Sequence, residues 1–213
     1  MKTRFLSLLM IFALSCSVAL AQETGKMSFG ILGGVNFQNL NGKDMSGDKL
    51  ENEMILGYHI GANVQIPLAP QFYFQPGLLF STKGAKQTYD VLGTSYTNTT
   101  KLSYIEMPLN LVYKAMLGNG YFMLGFGPYI GYGIAGKVSL EGGSENVESD
   151  VEFQNVVETT DPLTVPYVKA LDFGGNIFAG YELSNGIFAQ FNTQLGVVNI
   201  NPEYKILPDD KSS

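Results

Sequence analysis

"GYHIGANVQIPLAPQFYFQPGLLFSTKG", residues 57–84, contains two stretches in which apolar and polar side chains alternate. Tyr58 and Ile60 are apolar or aromatic, whereas His59 and Asn63 belong to the polar set between them. A side-chain period of two predicts β-strands with two different faces. The short proline-containing break between the stretches predicts a tight turn, so the segment is interpreted as a β-hairpin.

The same alternation recurs along the chain. Seven segments show it: residues 29–38, 58–66, 72–80, 104–114, 122–134, 172–182 and 187–197. Asn-Gly pieces at 118–120 and 184–186 suit tight hairpins, because these residues accept positive φ. The other connections are long and polar: 41–53, 85–100 and 138–169. Short turns at one end and long loops at the other predict an all-β, antiparallel up-and-down transmembrane β-barrel with seven clear strands.

Period alone does not say which face meets lipid, since a soluble lipocalin-like barrel also alternates. A water-facing sheet is rich in charged residues, whereas here the second face is mostly Gly, Asn, Gln and Ser. We therefore expect the apolar face to contact lipid and the second face to form a polar network in the lumen. The predicted network comprises His59, Asn63, Gln65, Gln75, Lys83, Glu106, Asn110, Asn176, Glu182, Gln190 and Asn192.

The first residues have the pattern of a secretory signal peptide. A basic start, the apolar run "FLSLLMIFALS" and an Ala-x-Ala site predict export with cleavage after Ala21. The domains expected are therefore a signal peptide, 1–21, and one outer-membrane barrel domain, 22–213. Lipidation at Cys16 is the alternative, although it would leave a hydrophobic scar at the mature end.

Composition after the leader restricts the chemistry. Cys16 and Arg4 are the only residues of their kinds, so the mature chain holds neither thiols nor guanidinium groups. Lys2 and Arg4 are two of the 13 basic residues, which leaves 11 against 19 acidic residues and a net charge of −8. An acidic chain of this kind argues against nucleic-acid binding. No cofactor is predicted.

Five stretches resemble one family: "FGILGGVNFQNL", the opening segment, "LSYIEMPLNLVYK", "YFMLGFGPYIGYGIAGK" and "LDFGGNIFAGYELSNGIFAQFNTQLGVVNI". They are similar to the PorT-like outer-membrane β-barrel family over nearly the whole mature chain. The resemblance implies an eight-stranded barrel in a Gram-negative outer membrane, usually without an assigned biochemical role. It also implies contact with outer-membrane lipid and with the barrel-assembly machinery during insertion.

The C-terminal residues depart from the family pattern. Members usually end in an eighth strand with a terminal aromatic residue, whereas here the seventh segment is followed by "NPEYKILPDDKSS". Bacterial single-chain barrels have even strand counts. We therefore expect either that the chain is truncated or frameshifted, or that another segment completes the sheet. With these residues alone, we expect an unpaired edge between the first and seventh strands. "VEFQNVVE", within the third loop, is too short and wrongly placed to complete the sheet.

Candidate chemistry is sparse. His59, the only histidine, has no metal-ligand partner at HxH or HExxH spacing and is expected to be a hydrogen-bonded lumen side chain. Glu106 is expected to pair with Lys83 or Lys114 across the lumen. No nucleophile motif in the sequence supports a hydrolase pair formed by Glu106 and Glu182. The acidic loop 138–168 misses the EF-hand spacing and is predicted to be solvated, and it is the candidate surface for a partner.

The leading hypothesis is an integral outer-membrane barrel with a structural or surface-interaction role and no enzymatic activity. A small or gated channel is the alternative from another class. A soluble periplasmic carrier of apolar ligands is the third, and it would fractionate without detergent.

Overall fold

The computed structural model describes residues 26–40, 52–142 and 145–205. The predicted signal peptide, residues 1–21, lies outside these residues. Within the described ranges there are twelve strands: β1 (Ser28–Gln38), β2 (Ile55–Ala69), β3 (Phe72–Val91), β4 (Thr94–Leu117), β5 (Gly120–Gly142), β6 (Glu145–Asp150), β7 (Glu152–Phe153), β8 (Val156–Val157), β9 (Tyr167–Val168), β10 (Leu171–Leu183), β11 (Phe188–Gly196) and β12 (Glu203–Tyr204). No helix among the described residues has the length and apolar character that a membrane span requires.

One antiparallel sheet forms the body of the molecule. Its order is β1-β2-β3-β4-β5-β10-β11, so each strand lies beside its neighbour in this series, and β6 adds to the far end of β5. These seven strands coincide with the seven alternating segments, which confirms the predicted up-and-down meander. In the part of the chain that the structure describes, β1 and β11 end the sheet and each pairs on one side only.

Two predicted loops are instead largely strand. Residues 85–100 belong to β3 and β4, which continue as one ladder to a turn at Leu92 and Gly93, with φ of 51° and 81°. Residues 138–142 and 145–150 also form strand, since β5 pairs there with β6. The prediction of irregular loops was wrong because Thr, Tyr and Val in these segments favour strands even where both faces are polar. Residues 41–51, in the other predicted loop, lie outside the described residues.

The two faces of the sheet differ as the alternation predicts. Outward side chains such as Ile31 and Phe191 are 83% and 90% exposed. Inward side chains such as Glu106 and Asn176 are buried. The sheet curls enough for inner side chains to touch across three strand intervals, since Lys83 on β3 reaches Asp172 on β10. The concave side is therefore a filled lumen.

The inner face is less polar than the sequence predicts. Near the short-turn end, Val112, Met123 and Phe178 form a buried cluster with Tyr73 and Phe188 packed against it. Glycine makes room for it, because a methyl group on Gly125 would overlap the Phe178 ring. The expectation of a lumen made of small polar groups therefore holds for only part of its depth.

Candidate functional site

Lys83 lies at the centre of the lumen and joins three strands. Its Nζ is 2.6 Å from Glu106 Oε1 on β4 and 2.5 Å from Asp172 Oδ2 on β10. Both carboxylates are almost completely buried, Glu106 being 3% exposed. We call Lys83, Glu106 and Asp172 the ion cluster. One ammonium faces two carboxylates, so the predicted pairing of Glu106 with Lys83 is confirmed, and Asp172 is an additional partner.

Strand register brings these side chains together. Glu106 pairs with Gly131 on β5, and Gly131 pairs with Asp172 on β10. Because Gly131 has no side chain, the side chains of Glu106 and Asp172 converge over it; a methyl group there would lie 3.6 Å from Glu106 Cγ and 3.6 Å from Asp172 Cβ. Lys83 enters from further along β3, and its long stem brings the ammonium to this row.

Two tyrosines enclose the ammonium. Nζ of Lys83 lies 4.4 Å from the ring centroid of Tyr129 and 5.3 Å from that of Tyr104. The Tyr129 hydroxyl donates to Asp172 Oδ2 at 3.1 Å. Cation–π contacts of this kind strengthen when water is excluded. Tyr104 and Tyr129 are missing from the sequence-predicted network; their inward position on alternating strands was the signal that could have found them.

A second ion pair closes the lumen toward the short turns. Lys114 Nζ is 2.6 Å from Glu182 Oε2, and the ammonium lies 5.3 Å from the Tyr73 ring. This pair spans β4 and β10, so it too ties strands that are not neighbours. Glu182, a predicted member of the lumen network, thus has Lys114 as its partner. Glu106 and Glu182 belong to separate pairs and do not form a carboxylate dyad.

The remaining predicted network residues occupy the inner face around these pairs. His59 Nδ1 is 2.6 Å from Asn36 Oδ1, so the histidine is a half-buried, hydrogen-bonded side chain as expected. Gln75, Asn110 and Asn176 are buried. The others are less enclosed: Asn63, Gln65 and Gln190 are half-buried, and Asn192 is exposed on the edge strand β11.

Part of the chain beyond the sheet folds over the open end of the lumen. We call residues 151–170 together with 198–205 the mouth lobe. Its strands pair in parallel, β7 with β9 and β8 with β12. Val151 packs on Leu102 and Tyr104 of the sheet. The prediction that all of 138–168 is a solvated loop was therefore wrong, because its apolar residues Val151, Val157 and Tyr167 are buried, whereas Glu152 and Glu158 are exposed.

Phe153 anchors the mouth lobe on a glycine of β5. A methyl group on Gly133 would overlap the Phe153 ring. We expect Gly133→Ala to lower the free energy of unfolding by about 1–3 kcal/mol, since overpacking forces the ring to move. Hydrogen exchange should also rise at Glu152 and Gln154, whose amides donate to Pro166 and Val168.

Gly175→Ala is the matched control for this substitution. A methyl group at Gly175 would find nothing nearer than 4.0 Å. Its effect should stay within about 0.5 kcal/mol. Equal effects of the two substitutions on unfolding and exchange would contradict the role given to Phe153.

The chemistry available in the lumen is that of charge pairing and hydrogen bonding. Among the residues that the structure describes, no group of three His, Cys, Asp or Glu side chains is arranged to hold a metal ion. The ion cluster instead links β3, β4 and β10 through one ammonium, which makes it a cross-brace of the curled sheet.

Comparison with known proteins agrees with this architecture. Residues 20–201 match the family model described as "Outer membrane protein beta-barrel domain". No curated protein and no solved structure shows a significant match to the chain. The family match spans most of the 213 residues and includes all the strands of the curled sheet. The chain therefore belongs to the outer membrane protein β-barrel domain family, whose place is the outer membrane.

Proposed function

We propose that this outer-membrane protein has a structural or surface-interaction role and is not an enzyme. The observation that carries the proposal is the filled lumen. The ion cluster, the Lys114–Glu182 pair and two apolar clusters occupy the concave side of the sheet. Small barrels filled by side chains hold no continuous water path. Because the filled lumen leaves no path for solutes, partners would bind at the outer surface and at the two ends of the barrel.

Membrane placement of the apolar face is supported by its aromatic residues. Phe72 and Tyr113 lie on the outer face near the short turns, with ring centroids 5.1 Å apart. Tyr181, on the same rim, donates its hydroxyl to the Leu117 carbonyl at 2.6 Å. Amphipathic rings at the ends of a barrel's apolar band are typical of the membrane–water interface. Lipid and, during insertion, the barrel-assembly machinery are the partners that this placement implies.

The end that carries the mouth lobe is the proposed surface for a partner outside the cell. Its acidic groups are only partly neutralised, by pairs such as Lys137 with Glu148 at 3.3 Å and Lys205 with Glu158 at 2.5 Å. Rigid barrels present specificity on the segments at their ends. The finer assignment to PorT-like proteins is part of this proposal and depends on the sequence motifs, as does signal-peptide cleavage after Ala21.

Planar-bilayer recording tests the filled lumen directly. The purified protein is expected to insert without reproducible conductance steps, because the ion cluster, the Lys114–Glu182 pair and the apolar clusters block the path. The comparison variant is the double substitution Lys114→Ala, Glu182→Ala, which removes only the ion pair nearer the short turns. It should also show no reproducible conductance steps. Reproducible steps from the unmodified protein would establish the channel alternative.

Cell fractionation separates the remaining alternative. The protein is expected in the outer-membrane fraction, released only by detergent, with a gel mobility that changes on heating. Recovery from periplasm without detergent would contradict the proposal and favour the soluble carrier.

A further inference from the structure

β6 forms an edge of the sheet at the end that lies away from the short turns. It pairs with β5 on one side, and in the described part of the chain no strand lies on its other side. The amide of Val151, directly after β6, donates to the carbonyl of Gly136 at 2.9 Å. Bonded pairs alternate along an antiparallel ladder, so Ser149 and Val147 also direct their backbone groups toward β5.

The alternate residues of β6 direct their backbone groups away from the sheet. These residues are Asn146, Glu148 and Asp150, and among the described residues they have no backbone partner on that side. Each presents both its N–H and its C=O in the spacing of a strand ladder. A row of unpaired donors and acceptors of this kind is a template on which an extended chain adds as a further strand.

The outward face beside this edge is acidic. Glu148 and Asp150 are exposed there, and β5 adds Glu141 and Lys137 on the same face. Lys137 pairs with Glu148 at 3.3 Å. Among the described side chains of this patch, one ammonium therefore faces three carboxylates, and the excess negative charge favours a basic neighbour.

The inward face beside the same edge is uncharged. Val147 is 52% exposed and lies next to Leu140 on β5, and Ser149 is half-buried. Side chains of neighbouring strands share a face in register, so those of an added strand would follow the same alternation. Basic residues would lie beside Glu148 and Asp150, and apolar residues would lie beside Val147.

Charge argues against a second copy of this protein at the edge. Two β6 strands paired with each other would bring Glu148 and Asp150 of one copy against the same carboxylates of the other copy. Like charges on neighbouring strands are destabilising. The occupant that matches this edge is therefore a strand of the opposite charge.

We propose that the free edge of β6 binds an extended segment of a partner protein by strand addition, and that this segment alternates Lys or Arg with apolar residues. Its backbone pairs with Asn146, Glu148 and Asp150. Its basic side chains meet the acidic outward face, and its apolar side chains extend the surface of Val147. This names the kind of partner for the surface-interaction role proposed above and rests on that role.

Amide hydrogen exchange with a synthetic strand tests this residue by residue. The probe is a peptide of the length of β6 with capped termini, in which Lys alternates with Val. The protein is folded in phosphatidylcholine bicelles, whose neutral headgroups do not attract the peptide. With peptide at about ten times its Kd, exchange should slow about tenfold at the amides of Asn146, Glu148 and Asp150. The amides of Val147 and Ser149, already directed toward β5, should not change.

Two control peptides and two variants separate strand addition from attraction of charge. A peptide with N-methylated lysines keeps every charge but cannot donate to the edge, and it should give no protection; a peptide alternating Glu with Val should not bind. The double variant Glu148→Gln, Asp150→Asn should weaken binding about fivefold to tenfold, as expected for two exposed ion pairs. The matched variant Glu152→Gln, Glu203→Gln removes two exposed carboxylates of the mouth lobe and should stay within about twofold.

Three results would overturn the proposal. Equal protection by the N-methylated peptide would show attraction of charge without strand addition, and unchanged exchange with every peptide would exclude the site. Slow exchange at the same three amides before peptide is added would show that the edge is already covered, by a second copy if dilution removes the protection and by this chain itself if it does not. If the protein is membrane-embedded and shows no conductance but the peptide does not bind, this inference alone fails; if it fractionates with periplasm, the membrane placement fails.

Discussion

Lys83→Met should destabilise the folded barrel by about 3–5 kcal/mol, the range for removal of one partner from a buried ion pair. The substitution keeps most of the volume of the stem but leaves the carboxylates of Glu106 and Asp172 without their cation. Both carboxylates are buried, so water cannot replace the lost ammonium. The measurement is urea unfolding in lipid vesicles, followed by tyrosine fluorescence and by heat-modifiable gel mobility.

Two controls separate a lost cross-brace from a lost charge. Lys137→Met breaks an exposed pair with Glu148 and should cost no more than about 1 kcal/mol. The triple variant Lys83→Met, Glu106→Gln, Asp172→Asn removes the whole ion cluster and should recover much of the stability, since neutral groups do not need a counter-ion. If Lys83→Met unfolds like Lys137→Met, the ion cluster does not brace the sheet.

Ile177→Arg should cost about 2–4 kcal/mol in lipid vesicles, as for arginine near the bilayer midplane. Ile177 is 54% exposed, and it lies opposite the similarly exposed Phe126 in the middle of the outer face. For a protein in water, arginine at such a position would change stability by no more than about 0.5 kcal/mol. The size of the effect therefore reports what the outer face touches, and it is measured by urea unfolding in vesicles.

Leu163→Arg is the matched control for the membrane prediction. Leu163 is 70% exposed but lies in the mouth lobe, outside the apolar band. Its substitution should change stability by less than about 0.5 kcal/mol. If both arginine variants are as stable as the unmodified protein, the outer face does not contact lipid, and the soluble-carrier alternative is favoured.

The sequence predicts the strand order and the two faces because both follow from local rules. Alternation assigns Ile60 outward and Asn176 inward without any knowledge of tertiary contacts. Because these rules depend on local alternation, they do not predict the full length of β3 and β4. Beyond the bilayer both faces of a hairpin meet water, so polar side chains replace the alternation and only β-propensity remains as a signal.

Contacts across the lumen are harder to predict. The ion cluster depends on the row that joins Glu106, Gly131 and Asp172, and this row is set by the registers of two strand pairs. Alternation gives the face of each residue but not its height. Lys83 was therefore assigned to the lumen with Lys114 as an equal candidate partner for Glu106, and the mouth lobe, held by Val151 and Phe153, was not predicted at all.

The long β3–β4 hairpin sets how far the protein stands out from the bilayer. β4 has 24 residues. At about 3.3 Å per residue and a tilt of about 45°, such a strand climbs roughly 55 Å, about twice the height of a barrel's apolar band. The tip at Leu92 and Gly93 thus clears the lipid headgroups by tens of ångströms. With that end outside the cell, as proposed above, an epitope tag inserted there is expected to be within reach of antibody on intact cells and to leave the barrel wall untouched.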